Sequence, residues 1–480
     1  MLFNSIDFAI FFPIFFVVYW IVAKKLTLRN AFLLASSYLF YGWWDWRFLF
    51  LILFSSIVDF TIGQKIYAAT NKRVRKNYLL VSLLINLGLL GYFKYTNFFI
   101  DSFINSFRFF GGEMDSFTLH IILPVGISFY TFQTLSYTID IYRDRIKPTN
   151  DWLSFFTFVA FFPQLVAGPI ERASHLLPQF FKTYNFDYKA FKSGLLLMAF
   201  GLFKKMVIAD RLAIVVNEVY GNPTGHSGQD LIIATVFFAF QIYCDFSGYS
   251  DIAIGISRML GFNLMKNFDT PYFSTSITAF WRRWHISLST WFRDYVYIPL
   301  GGSRNGDYRT YFNLFIVFVV SGLWHGAAIN FVIWGAIHGI IIVAEKALSN
   351  TALKVNRKPL IPSVIFTFIT FGIVCFAWIF FRANTFADSV YIVKNLFNFN
   401  FVDWSIYNLG LPSHEFDFAV IVIILLLIFD AFHRKYNALR VINKSNFVVQ
   451  SLVYTLIVYS IVIFGIYGND SVSEFIYFQF

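Results

Sequence analysis

Charge is what this 480-residue chain has least of: Asp, Glu, Lys and Arg make up 14% of it, where a soluble domain carries about 25%. So few charges cannot cover a water-soluble chain of this length, which excludes an ordinary soluble enzyme. Cysteine is nearly absent. Cys244 and Cys375 lie far apart in apolar surroundings, so neither a structural disulfide nor a thiolate metal site is expected. The familiar catalytic signatures are missing as well. There is no Gly-x-Ser-x-Gly elbow, no Walker loop and no dinucleotide fingerprint. A His-x-x-x-x-Asp acyltransferase box is missing too, since His325 is followed at that spacing by Asn330. No metal-ligand spacing, internal repeat, low-complexity segment or separate soluble domain is evident. A cleaved signal peptide is not expected either: Asp7 stands where a basic region belongs, and Lys24 and Lys25 follow the apolar run Phe8 to Ala23 without a small-residue cleavage site. That run reads as a retained first span with the N-terminus outside.

Apolar and aromatic residues fill the space the charges leave. The chain is 58% hydrophobic and 22% aromatic, with 65 Phe, 27 Tyr and 12 Trp. Such rings suit lipid-facing surfaces and the membrane interface. The expected class is an all-α integral membrane protein. Apolar runs lie at 8–23, 31–44, 48–63, 79–93, 119–139, 152–168, 193–209, 231–246, 311–328, 331–344, 362–381, 416–431 and 447–467. Several are short for a full span, so some are re-entrant or tilted, and roughly eleven crossings are expected. The net charge of +11 is explained by basic residues gathered in short loops at 24–29, 65–76 and 143–147. These follow odd-numbered runs, which places them in the cytoplasm and the loop from Thr96 to Phe117 outside. Nucleic acid is not an expected partner.

From Pro163 to Lys192, and again from Gly248 to Gly306, polar, Gly and Pro residues break the apolar pattern. Irregular backbone at membrane depth is tolerated where it is buried in protein or lines a wet cavity. The chain is therefore read as one transmembrane domain, 1–480. Within it, 119–340 is a core around a cavity, flanked by scaffold spans at 1–118 and 341–480.

Three constellations carry chemistry. In Trp281-Arg282-Arg283-Trp284-His285-Ile286-Ser287-Leu288-Ser289-Thr290-Trp291-Phe292-Arg293-Asp294, a helical reading puts Arg282, His285, Ser289 and Arg293 on one face. That face is either an interfacial amphipathic helix or a polar wall for an anionic thioester. In Ser321-Gly322-Leu323-Trp324-His325-Gly326, an imidazole stands inside an apolar stretch running from about Phe312 to Val343. Ionisable groups there usually face an interior cavity, and imidazole is well suited to take a hydroxyl proton near neutral pH. The glycines on either side allow backbone or ligand to come close. His338 is expected to be structural. In Gln241-Ile242-Tyr243-Cys244-Asp245-Phe246-Ser247-Gly248-Tyr249-Ser250-Asp251, the polar groups either order a neighbouring imidazole and line the acceptor path or cap a helix end.

At these residues the sequence resembles the membrane-bound O-acyltransferases, most closely the alginate O-acetylation branch. The matching blocks are Leu123 to Gln133, Phe162 to Ile170, Asp245 to Asp251, Phe280 to His285, Ser321 to Gly326 and Phe380 to Ala383. They appear in the family's order over nearly the whole chain. The resemblance implies that His325 is the family's near-invariant histidine and His285 its second. It implies a ring of membrane helices around a thinned centre, with re-entrant and interfacial helices and a central tunnel joining the two sides. It also implies a cytoplasmic acyl thioester donor, commonly acetyl-CoA, with no permanently bound cofactor and no metal. The resemblance further implies an exported polysaccharide acceptor in a bacterial inner membrane setting, often reached through a partner of the SGNH hydrolase-like type.

The expected activity is acyl transfer across the membrane. His325 promotes attack of a hydroxyl on the thioester, and His285 and Arg282 position the donor and stabilise developing charge. Trp284, Ser289, Arg293, Asp245, Ser247 and Trp324 are the further binding candidates. Direct transfer and a covalent relay both stay open. Peptidoglycan O-acetylation and D-alanyl transfer are the enzymatic alternatives. A polysaccharide or lipid transporter, which also needs a wet cavity, is the non-enzymatic one.

Overall fold

A computed structural model describes residues 1–109, 119, 121–166, 168–350, 363–402, 405–467 and 475–476. Among these residues all regular structure is helical, with no strand. Among the described residues seven helices are long and apolar enough to cross a membrane: Trp46–Ala68, Lys72–Ile104, Gly228–Met259, Ile329–Leu348, Ser363–Arg382, Ser413–Tyr436 and Phe447–Phe464. Two shorter apolar helices are Ile6–Val22 and Trp152–Leu165. The low charge and the apolar runs thus resolve into a multi-pass membrane protein.

One expected loop is a helix. The segment Thr96–Phe109 is α-helical and continues Lys72–Leu90 through a π-turn at Gly91–Tyr95. Its polar residues, Thr96, Asn97, Asp101 and Ser102, read as a loop only because they interrupt the apolar run. Residues 110–117 of that loop, and Ala167 of the second matching block, lie outside the described residues.

The chain divides into two compact units. The first comprises Met1–Leu195 and Ala253–Met265. Its helices are joined by buried polar side chains, which act between membrane helices where hydrophobic burial gives little. Asp59 accepts from Ser82 Oγ at 2.6 Å and from Asn86 Nδ2 at 2.9 Å. Asn86 Oδ1 in turn accepts from Ser55 Oγ at 2.7 Å. Arg29, fully buried, donates to the carbonyl of Phe180 at 2.9 Å, and Asn30 donates to Ser154 at 3.0 Å.

The second unit comprises Leu196–Ile252 and Lys266–Phe480, and it holds every candidate site residue. The runs 311–328 and 331–344 around His325 form a helix pair. Helix Asp307–His325 ends at its histidine, Gly326 turns the chain, and Ile329–Asn350 runs back. Glycine makes the close pairing possible. A Cβ on Gly322 would collide with the Phe331 carbonyl oxygen, and one on Gly335 with that of Phe318. At Gly326 the neighbour is the Phe331 ring, so the two glycines around His325 admit the chain's own Phe331.

A second feature of this unit is a lysine pair on a π-turn, Lys204–Ala209. Lys205 Nζ lies 2.8 Å from Asp210 Oδ1 and 2.7 Å from Asp245 Oδ1, all three side chains at most 3% exposed. Lys204 Nζ donates to Ser247 Oγ at 2.8 Å and pairs with Asp251 at 2.5 Å. A π-turn adds a residue to the helical ladder and often marks functional sites. Here two adjacent lysines both reach carboxylates of the facing helix Gly228–Met259.

Candidate active site

The site begins at a break in a helix. Residues 281–294 do not form one helix: Ile277–Trp281 and Ile286–Phe292 are separate, and His285 between them has φ 43°, in the left-handed region. A non-glycine residue there carries strain that the surroundings must hold in place. The consequence corrects the expected four-residue face. Arg282, Ser289 and Arg293 line one cavity of about 820 Å³, and His285 is not among its lining residues.

The left-handed turn sends the His285 ring into the protein, where it is fully buried. Its Nδ1 stands 3.1 Å from Asn267 Oδ1. Asn267 Oδ1 also accepts from Ser287 Oγ at 2.8 Å, while Asn267 Nδ2 donates to Ser250 Oγ at 3.0 Å. Facing an amide oxygen, Nδ1 carries the proton, which leaves the lone pair on Nε2. Phe246 meets the ring edge-on, with centroids 4.6 Å apart. Burial pulls the His285 pKa below the usual imidazole range, because removal from water disfavours the charged form. Asn267 was not legible as a site residue: it lies in an irregular segment with no periodicity.

His325 stands at the end of its helix, 2% exposed. The two imidazoles come together, with ring centroids 6.3 Å apart. Aromatic rings enclose His325: Trp324 at 4.9 Å, Trp334 at 5.0 Å and Phe381 at 5.4 Å. Phe381 belongs to the last of the matching sequence blocks. Trp324 is thus part of the histidine's wall. Trp284, 1% exposed, lies in the core against Phe268, Phe280 and Trp378.

Asp245 and Ser247 lie within the 32-residue helix Gly228–Met259, so they cap no helix end. Both are engaged by the lysine pair, and Asp245 Oδ2 also accepts from the backbone N–H of Ile476 at 2.8 Å. Their neighbours Phe246 and Ser250 reach His285 and Asn267 respectively. This segment therefore orders the imidazole through its neighbours.

The cavity has a charge pattern of its own. Arg282, Arg293 and Lys346 line it together with one carboxylate, Glu345, and an apolar wall that includes Trp281, Leu288, Phe292 and Phe318. Glu345 is engaged by the start of helix Ile277–Trp281, accepting from Ile277 N at 2.7 Å and Thr278 N at 2.9 Å. The lining is thus net cationic. Glu345 and Lys346 were missed from sequence, although a charged pair directly ending an apolar run is a usable signal. Among the described residues no cluster of His, Cys, Asp and Glu could hold a metal.

Comparison with known proteins bears on what this arrangement does. Residues 143–381 match the model of the membrane-bound O-acyltransferase family. A probable alginate O-acetylase of Pseudomonas syringae pv. tomato is 42% identical over 86% of this chain and 78% of its own length. The chain belongs to the membrane-bound O-acyltransferase family. A peptidoglycan O-acetyltransferase of Helicobacter pylori is 35% identical over 87% of this chain and 83% of its own. A teichoic acid D-alanyltransferase of Bacillus subtilis is 27% identical over 56% of this chain and 70% of its own. The protein is thus a membrane-bound O-acyltransferase, and the transporter reading falls away. The family match spans both His285 and His325, the Arg282 cavity and the lysine pair.

Proposed function

We propose that this acyltransferase acetylates hydroxyl groups of an exported polysaccharide, using a cytoplasmic acetyl thioester such as acetyl-CoA. The observation that carries the reading is the meeting of two buried imidazoles, His285 and His325, beside a net cationic cavity in a chain 42% identical to a probable alginate O-acetylase. His325 takes the proton of the acceptor hydroxyl as its oxygen attacks the thioester carbonyl. His285, held by Asn267, positions the reacting groups. The cavity receives the carrier end of the donor: its apolar wall suits the arm that leads the thioester inward to the two histidines, and Arg282, Arg293 and Lys346 meet phosphate oxygens.

This activity calls for a tunnel through a ring of helices, with the N-terminus outside and residues 119–340 as the catalytic core in a bacterial inner membrane. Direct transfer to the polymer and passage through an SGNH-like partner both satisfy the chemistry. Peptidoglycan is the second acceptor reading, favoured by the 35% identity to the Helicobacter enzyme over most of both chains. Removing the protein from its cells and measuring ester-linked acetyl on exported polymers by mass spectrometry tests the reading. Loss from an exopolysaccharide supports it. Loss from peptidoglycan alone moves the assignment to the second acceptor, and no loss from any polymer contradicts both.

The donor cavity makes its own prediction. Arg282→Gln should raise the KM for acetyl-CoA about 10-fold, as expected for losing a hydrogen bond to a charged group. The same variant should leave the KM of a short uncharged acetyl thioester within about twofold. Purified protein in nanodiscs, given each donor over a concentration series, supplies both constants. Equal losses with the two donors would remove the phosphate-binding role from Arg282.

A further inference from the structure

His338 is a buried histidine that the mechanism above does not use. It is fully buried, and among the described residues neither of its ring nitrogens has a hydrogen-bond partner. The same holds for the indole N–H groups of Trp281 and Trp334, which flank it with ring centroids at 5.2 Å and 5.1 Å. Buried polar groups in such numbers are satisfied by internal water or a polar ligand.

The place of His338 is specific. Trp334, one helical turn before it, touches the His325 ring at 5.0 Å. Ile342, one turn after it, lines the donor cavity, as do Trp281 and Phe318, whose rings meet that of His338. On the paired helix the same step recurs: Ser321 lines the cavity and His325 lies one turn further. His338 and the Trp334 indole therefore occupy the layer between His325 and the cavity.

We propose that His338 relays a proton between His325 and the donor cavity, an inference that rests on the acetyl-transfer reading of this site. In that reaction the acceptor oxygen bonds to the acyl carbon, and the carbon–sulfur bond breaks with its electron pair going to sulfur. The thiolate withdraws into the cavity with its carrier, and the hydroxyl proton, held first by His325, must follow it to that sulfur. A charged imidazole enclosed by indoles is costly to keep. Imidazole can accept a proton on one nitrogen and release one from the other. Through water bridging His325, Trp334 and His338, the proton reaches the cavity, where it neutralises the departing thiolate. His325 is thereby neutral again for the next hydroxyl. No outside acid, base or oxidant is required.

The test uses full-length protein in nanodiscs, with acetyl-CoA as donor and the cell's own exported polysaccharide as acceptor, following release of the CoA thiol. His338→Gln keeps polarity, and His338→Phe keeps the aromatic packing. Monodisperse elution establishes that each folds, and either one alone suffices. The relay predicts a kcat about 10- to 100-fold lower, a KM for acetyl-CoA within about twofold, and a larger solvent deuterium isotope effect on kcat. A kcat within twofold of wild type overturns the relay. So does a fall in kcat with an unchanged isotope effect, the signature of a packing role. His325→Ala serves as the separate arm: activity surviving there would sink the underlying reading, whereas an inactive His325→Ala beside a fully active His338→Gln would sink the relay alone.

Discussion

His325→Ala is expected to lower acyl transfer by about 10²- to 10⁴-fold, the usual cost of losing a positioned general base, while the protein still inserts and folds. His325 ends the helix Asp307–His325, and Gly322 and Gly335 pack against the opposing backbone beside the turn at Gly326. Truncating the ring therefore removes chemistry more than architecture, although a cavity remains among Trp324, Trp334 and Phe381. Initial rates of thiol release and of ester formation by purified wild-type and variant protein decide the matter. A variant within tenfold of wild type on both would remove His325 from the role of base.

The second large effect concerns folding. Lys205→Met should deplete the folded protein strongly, because it leaves the carboxylates of Asp210 and Asp245 buried without their shared cation. Breaking a buried ion pair by removing one partner costs about 3–5 kcal/mol. Asp245 also accepts from the N–H of Ile476, so the disturbance reaches the 475–476 segment as well. Combining Lys205→Met with Asp210→Asn and Asp245→Asn removes the stranded charges and should recover part of the loss. The yield of monodisperse protein in detergent and its thermal unfolding temperature report both effects. A Lys205→Met protein as stable as wild type would mean that the three groups are not coupled.

These two residues show how unevenly the sequence could be read. His325 was legible because its surroundings are apolar: an imidazole in such a stretch stands out by cost alone. Lys205 was passed over although Lys204 and Lys205 lie inside the apolar run 193–209, where the same cost argument made them a usable signal. The π-turn that carries them inward has no signature in hydrophobic spacing. Asp245 and Ser247 were picked out, but their partners were not, since ion pairs between distant helices leave no local pattern.

The Arg282 segment failed for a different reason. Helical periodicity assumes an unbroken helix, and a single left-handed residue, His285, rotates everything after it. Asp, Asn and Gly are the usual hints of such a turn, and histidine gave none. The break nevertheless separates the functions sensibly. Arg282, Ser289 and Arg293 face the cavity, and His285 turns inward to His325. At Thr96–Phe109 the error was the opposite one, polarity taken for irregularity where the helix continues.

Under the proposed function, the His285–His325 pair transfers an acetyl group from a thioester on one side of the membrane to a polysaccharide hydroxyl on the other. Proteoliposomes holding the protein, loaded on one side with acetyl-CoA labelled in its acetyl carbons and on the other with the exported polymer, measure this directly. Any SGNH-like partner needed for the final step is added on the polymer side. Labelled ester is expected on the polymer with wild-type protein, and label at background with His325→Ala. Equal labelling by the two proteins, or none by correctly inserted wild type, would contradict it.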